Sequence, residues 1–165
     1  MKPIFNEEQL VFVQELKNRY PAGRQKSALL PLLHFAQETI GQGWLPVPVM
    51  DYVAELLSIK PIEVYEVATF YTMYNTKPVG KVLLEVCRTG PCCLVGAERI
   101  MQYIEEKLRI KDGETSADGM FTLKGVECLG ACGYAPMMQV GDHYYEHLTE
   151  QKVDELLEKF RKEKL

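Results

Sequence analysis

The chain has 165 residues, 47% of them hydrophobic and 25% charged, with a formal net charge of −4. That is enough apolar material for one ordinary domain, or for a small one with an appendage, and the mixed acidic balance excludes the basic face of a nucleic-acid binder. No stretch reaches the roughly 18 consecutive apolar residues of a membrane span. The N-terminus, Met1-Lys2-Pro3-Ile4-Phe5-Asn6-Glu7-Glu8, carries no signal or transit pattern, so a soluble, non-secreted chain without membrane insertion is expected.

Asn6 is a good N-cap before two glutamates, and predicts a first helix to about Tyr20 with Leu10, Val13, Leu16 and Tyr20 on one face. Pro21-Ala22-Gly23 ends it. A second helical run covers about residues 25–42, striped by Leu29, Leu32, Leu33 and Ala36, and Pro31 inside it predicts a kink or a late start. A third runs over 47–57 with Val49, Val53, Leu56 and Leu57 inward, and a fourth starts at Pro61 and ends near Tyr71. Residues 1–77 therefore read as a helical domain. Its last ten-residue stretch, 65–74, holds Tyr65, Phe70, Tyr71, Met73 and Tyr74, more than a short helix needs. Internal packing and a partner interface compete for it.

After Asn75 the pattern changes. Residues 78–165 alternate strands and helices: a strand over 81–86 ending at Cys87, and a helix opened by Pro91 with Ala97, Ile100, Met101, Ile104 and Leu108 inward. A polar loop leads to a second strand over 120–127 ending at Cys128. Residues 137–140 and 143–145 form a hairpin about Gly141-Asp142, and Thr149 caps a last helix carrying Val153, Leu156, Leu157 and Phe160. The fold class is α+β, a helical bundle followed by an α/β unit with a small mixed sheet.

Five cysteines, an odd number, argue against a disulfide framework. Four of them form two pairs, Cys87 with Cys92 as C-x4-C and Cys128 with Cys132 as C-x3-C, 35 residues apart. Each pair follows a strand and lies among Gly and Pro. Four thiolates from two loops suit either one tetrahedral zinc or one [2Fe–2S] cluster; the tight C-x2-C knuckle usual for structural zinc is missing, which favours the cluster. Gly90, Gly130 and Gly133 are expected to supply backbone freedom there. Arg88 is a candidate to offset cluster charge if it turns inward, and the helix start near Cys92 is expected to favour its thiolate. Cys93 reads as a small apolar helix residue. His34, His143 and His147 share no ligand spacing, and Glu105-Glu106 read as a solvated face. No Gly-rich phosphate loop is present.

The run Asp118-Gly119-Met120-Phe121-Thr122, then five residues, then Cys128-Leu129-Gly130-Ala131-Cys132-Gly133-Tyr134-Ala135-Pro136 resembles the signature of the small [2Fe–2S] subunit of the NADH-oxidising module of respiratory complex I. Cys87 and Cys92 with Pro91, Gly43-Trp44-Leu45-Pro46 and Glu66-Val67-Ala68-Thr69-Phe70-Tyr71 are similar to the rest of that family's pattern. Cys93 departs from it. The resemblance implies a thioredoxin-like domain behind the helical one, and a [2Fe–2S] cluster on Cys87, Cys92, Cys128 and Cys132. It also implies a larger partner flavoprotein, which binds NADH and FMN and exchanges single electrons with the cluster. The expected setting is the cytoplasmic face of the inner membrane, or the matrix face in an organelle. An NAD-linked hydrogenase or formate dehydrogenase shares the module and is the related alternative. A zinc-stabilised interaction module is the alternative from another class.

Overall fold

The structure, a computed structural model, describes residues 4–39 and 43–163. It divides into two compact units, Met1–Pro78 and Val79–Leu165.

The first unit is helical: α1 (Glu7–Asn18), a 3-10 turn (Gln25–Ala28), α2 (Leu29–Thr39), α3 (Val47–Leu57) and α4 (Pro61–Phe70). Asn6 closes a reciprocal cap on α1. Its side chain accepts from the Gln9 amide at 2.9 Å while the Gln9 side chain accepts from the Asn6 amide. Pro31 sits in the first turn of α2, where its missing N–H costs nothing, so the second helix starts late rather than kinking. The C-terminal end of that expected run, residues 40–42, lies outside the described residues. Leu32, Leu33, Leu45, Val53 and Val64 are fully buried and form the core with Val13, Leu29 and Ala36.

The second unit contains β1 (Val82–Cys87), α5 (Gly90–Leu94), α6 (Ala97–Leu108), β2 (Phe121–Val126), β3 (Met138–Val140), β4 (His143–Tyr145) and α7 (Glu150–Lys162). The sheet order is β2-β1-β3-β4. β1 and β2 are parallel, with Cys87 beside Val126; β3 runs antiparallel to β1, and β4 to β3. Alternate residues Val82, Leu84 and Val86 of β1, with Phe121 and Leu123 of β2, share one core with Ile100 and Ile104 of α6 and Val153 and Phe160 of α7. The Tyr103 hydroxyl donates to Asp154 at 2.8 Å and ties α6 to α7.

The one helix expected from Pro91 is two. Gly96, at φ +100°, breaks it between α5 and α6. Ala97, Ile100, Met101 and Ile104 of α6 are buried as expected, and Leu108 is half-buried. Gly80 has a role its sequence context did not announce. A Cβ there would stand 2.9 Å from the Phe121 backbone carbon, and its amide donates to the Thr122 hydroxyl at 2.6 Å. Only a glycine lets the entry to β1 lie this close to the start of β2.

Candidate metal centre

Both cysteine loops leave the same end of the parallel β1–β2 pair. Cys87 is the last residue of β1, its amide bonded to the Met137 carbonyl at 3.2 Å, and the next amide, Arg88, bonds to Val126 of β2 at 2.9 Å. The chain then turns through Thr89 into α5. Cys92 donates its amide back to Thr89 at 2.9 Å and is buried inside that short helix. Cys87 and Cys92 pack with Ala97 and Met137, and Leu129, Ala131 and Ala135 of the second loop close over them.

The second pair lies differently. Cys128 and Cys132 are exposed. Cys132 opens a 3-10 turn, Cys132–Tyr134. Gly130 takes φ +79° and turns its amide onto the Cys128 sulfur at 3.4 Å. Gly90 and Gly133 adopt no left-handed angle and face open space, so of the three expected glycines only Gly130 supplies special backbone freedom.

The thiols of the first pair are electrostatically unlike. Burial alone would raise Cys87. The amides of Thr89 and Leu129 and the Cys92 thiol donate to its sulfur and outweigh that, so its pKa is lowered. Cys92 is pushed up to about 11, by burial first, then by the neighbouring Cys87 and by the charge of Cys132. The helix start beyond Pro91 therefore does not favour a thiolate at Cys92. α5 is one turn long, and the favoured thiolate is Cys87. Sequence reasoning missed the Leu129 amide, because contact between two loops leaves no local pattern.

Arg88 does not turn inward. Its guanidinium pairs with Asp112 at 2.9 Å, and the same carboxylate accepts the Gly125 amide at 2.8 Å. A Cβ at Gly125 would stand 2.5 Å from Arg88 Cδ, so that glycine makes room for the clamp. Thr89 adds a second tie, donating to Glu127 at 3.2 Å. Cys93 points away, its thiol donating to the Arg88 carbonyl at 3.1 Å. Glu105 is not simply solvated: it pairs with Lys111 at 2.7 Å and accepts the Asp112 amide at 3.1 Å. His34 lies against the Tyr74 ring and His147 against Tyr134.

Among the described residues no three His, Cys, Asp or Glu side chains are grouped to share a single ion. The donors come as a buried pair and an exposed pair on adjoining loops, with backbone N–H groups aimed at Cys87 and Cys128. That all-thiolate, donor-lined set fits a two-iron cluster, in which each iron takes two cysteines.

The second unit's sheet and flanking helices define a thioredoxin-like ferredoxin. The chain belongs to the thioredoxin-like [2Fe–2S] ferredoxin family, whose model matches residues 13–161. It is 48% identical over 157 residues to the NADH-quinone oxidoreductase E subunit of Rickettsia bellii, covering 95% of this chain and 93% of the relative. Identity is also 48% to the second NADH-quinone oxidoreductase E subunit of Rhizobium meliloti over 143 residues, covering 87% and 83% of the two. Among solved structures, an NAD+-reducing [NiFe]-hydrogenase in the air-oxidized state matches 81% of this chain with a TM-score of 0.68. At 19% identity and with 22% of that longer chain covered, the match shows the fold. No helix among the described residues is long and apolar enough to cross a membrane.

Proposed function

We propose that this chain is the electron-transfer subunit of an NADH:quinone oxidoreductase, holding one [2Fe–2S] cluster through Cys87, Cys92, Cys128 and Cys132. It would exchange single electrons with the FMN of a partner flavoprotein, which also binds NADH, at the cytoplasmic face of the membrane. The two structural units would serve as a helical domain, 1–77, and the ferredoxin domain, 78–165. The observation that carries the reading is the meeting of the two cysteine loops, where Leu129, Ala131 and Ala135 of the second pack against Cys87 and Cys92 of the first.

When bound, such a cluster takes up and releases one electron at a time. The chain's own work is to hold, shield and bias it. Fully buried Met137 and Ala97 keep water from the first pair. The Thr89, Leu129 and Gly130 amides offset negative charge on sulfur. The Arg88–Asp112–Gly125 clamp and the Thr89–Glu127 bond hold the two loops in register.

On the helical unit, Tyr65 donates to Asp51 and Tyr74 donates to the Leu30 carbonyl at 2.9 Å, so both belong to that unit's packing. Phe70 is 78% exposed and stacks edge-on against Tyr71. These two form the proposed flavoprotein contact, and Phe70→Ala with Tyr71→Ala together is expected to weaken copurification with the flavoprotein.

The deciding experiment is metal analysis of the purified full chain, followed by co-expression with the flavoprotein subunit of the same organism. The expected protein is red-brown with about two irons and two sulfides, and the complex reduces an artificial acceptor with NADH. A colourless protein with one zinc would overturn the reading.

A further inference from the structure

The hydroxyl of Tyr144 is spent on a bond that the sheet does not need. Tyr144 lies on β4 opposite Gln139 of β3. Its neighbour Tyr145 faces the core, edge-on to Phe160 at 5.4 Å, so Tyr144 points from the other face of the sheet and is 47% exposed. A tyrosine in such a place has its hydroxyl in water by default. Here the hydroxyl instead donates to the Leu129 carbonyl at 2.7 Å, in the middle of the C-x3-C loop. The Leu129 carbonyl and the Gly130 amide are two ends of one rigid peptide plane. The other end of that plane is the N–H that meets the Cys128 sulfur at 3.4 Å. Gripping the oxygen therefore sets where the N–H points. The Gly130 backbone, at φ +79°, has the freedom to swing the plane elsewhere if the grip is released. The amide on the other side of Leu129 is the one that faces Cys87.

We propose that Tyr144 is a positioning residue for the electron chemistry: by holding the Leu129–Gly130 peptide, it keeps an N–H on the Cys128 sulfur and raises the midpoint potential of the cluster. The proposal rests on the reading that Cys128 is a cluster ligand. Its physical basis is that reduction adds negative charge to the cluster, and an N–H donor at a ligand sulfur stabilises the reduced state more than the oxidised one. Tyr144 bonds the Leu129 carbonyl rather than a cysteine sulfur, so its effect passes through the peptide.

The test uses the full chain carrying its cluster, with Tyr144→Phe compared against Tyr103→Phe. The control loses an equivalent hydroxyl bond, to Asp154, between α6 and α7. Both variants are expected to hold the same iron and sulfide as the parent. In a redox titration followed by the visible spectrum, Tyr144→Phe is expected to titrate at a more negative potential, and Tyr103→Phe at the parent's. Iron release to a chelator from Tyr144→Phe should be about fivefold faster, the factor for one net hydrogen bond. An unchanged potential in Tyr144→Phe, or an equal shift in both variants, overturns the proposal while leaving the cluster reading intact. A parent protein without a two-iron cluster overturns both, and iron counting separates that case from the others. Should Tyr144→Phe lose its cluster outright, Tyr144→His offers a donor of shorter reach. Recovery of cluster with the parent potential and a protected Gly130 amide in hydrogen exchange then supports the proposal, and recovery of the parent potential with that amide unprotected overturns it.

Discussion

The two units spend their polar groups in opposite ways. In the helical unit they finish elements: Asn6 caps α1, and Tyr74 takes the Leu30 carbonyl. Remove any one and a packed apolar core remains. In the sheet unit a group of them gathers at one end of β1–β2, where Arg88, Asp112, Thr89, Glu127 and Tyr144 act on the two cysteine loops. The second of those loops buries little of its own, and Cys128 and Cys132 stay exposed, while Cys87 and Cys92 of the first are buried. Stability and function are thus separable in the first unit and entangled in the second.

The sharpest way to break that contrast is to remove ligands. Cys87→Ala, Cys92→Ala, Cys128→Ala and Cys132→Ala are each expected to abolish normal cluster assembly, read as iron per chain. Cys93→Ala should leave the iron content of the parent, because its thiol is already engaged with the Arg88 carbonyl. Full iron content after any of the four changes would remove that residue from the ligand set.

Next in size are two apolar truncations. Leu33 and Met137 are both fully buried, one in each unit. Truncation of either to Ala is expected to cost about 2–5 kcal/mol in denaturant unfolding. The difference lies in what else is lost. Leu33→Ala should leave iron content unchanged in the folded fraction, whereas Met137→Ala opens the packing around Cys87 and Cys92 and should shed iron. Equal iron retention in the two would mean that the units do not differ in this respect.

The same contrast explains what could be read from sequence. Helices α1 to α4 announce themselves through a 3.6-residue apolar stripe, a cap at Asn6 and prolines at Pro31 and Pro61, all local signals. The strands, the hairpin and the spacing of the four cysteines were equally visible. What stayed hidden depends on chain segments far apart. Gly125 is small because Arg88, 37 positions earlier in the chain, lies over it. The break at Gly96 hid because Ala97 and Ile100 continue an apparently unbroken pattern. Arg88, standing next to Cys87, is a candidate to offset cluster charge only if it turns inward, and sequence does not say which way it turns. Its true partner, Asp112, sits in the polar loop before β2, where composition alone promises only solvent.

A third prediction measures how tight the approach at the start of the sheet is. Gly80→Ala puts a methyl 2.9 Å from main-chain carbon at Phe121, where no flexible side chain can yield. It is expected to destabilise the second unit by about 1–3 kcal/mol, seen as a lower denaturant midpoint with little change in slope. Gly125→Ala meets side-chain atoms alone, of Arg88 and of Asp112, and should cost less, while releasing Arg88 from Asp112. If the order of the two were reversed, the clamp would outweigh the backbone contact.

The smallest effect lies in the helical unit and depends on pH. Burial, and then the neighbouring Tyr71, push the Tyr74 hydroxyl from the ordinary 10.0 up to about 12. The folded state therefore keeps this proton where the unfolded chain has lost it. The resulting stability is complete below pH 10, falls as pH climbs from there, and is gone once pH passes about 12. Tyr74→Phe deletes both the titration and the bond to Leu30. It should cost about 1 kcal/mol near neutral pH, and the gap to the parent should narrow with rising alkalinity. Thermal melts between neutral pH and pH 11 on the two proteins check this. A gap that stays constant across the range would mean that Tyr74 ionises no more reluctantly in the folded chain than in the unfolded one.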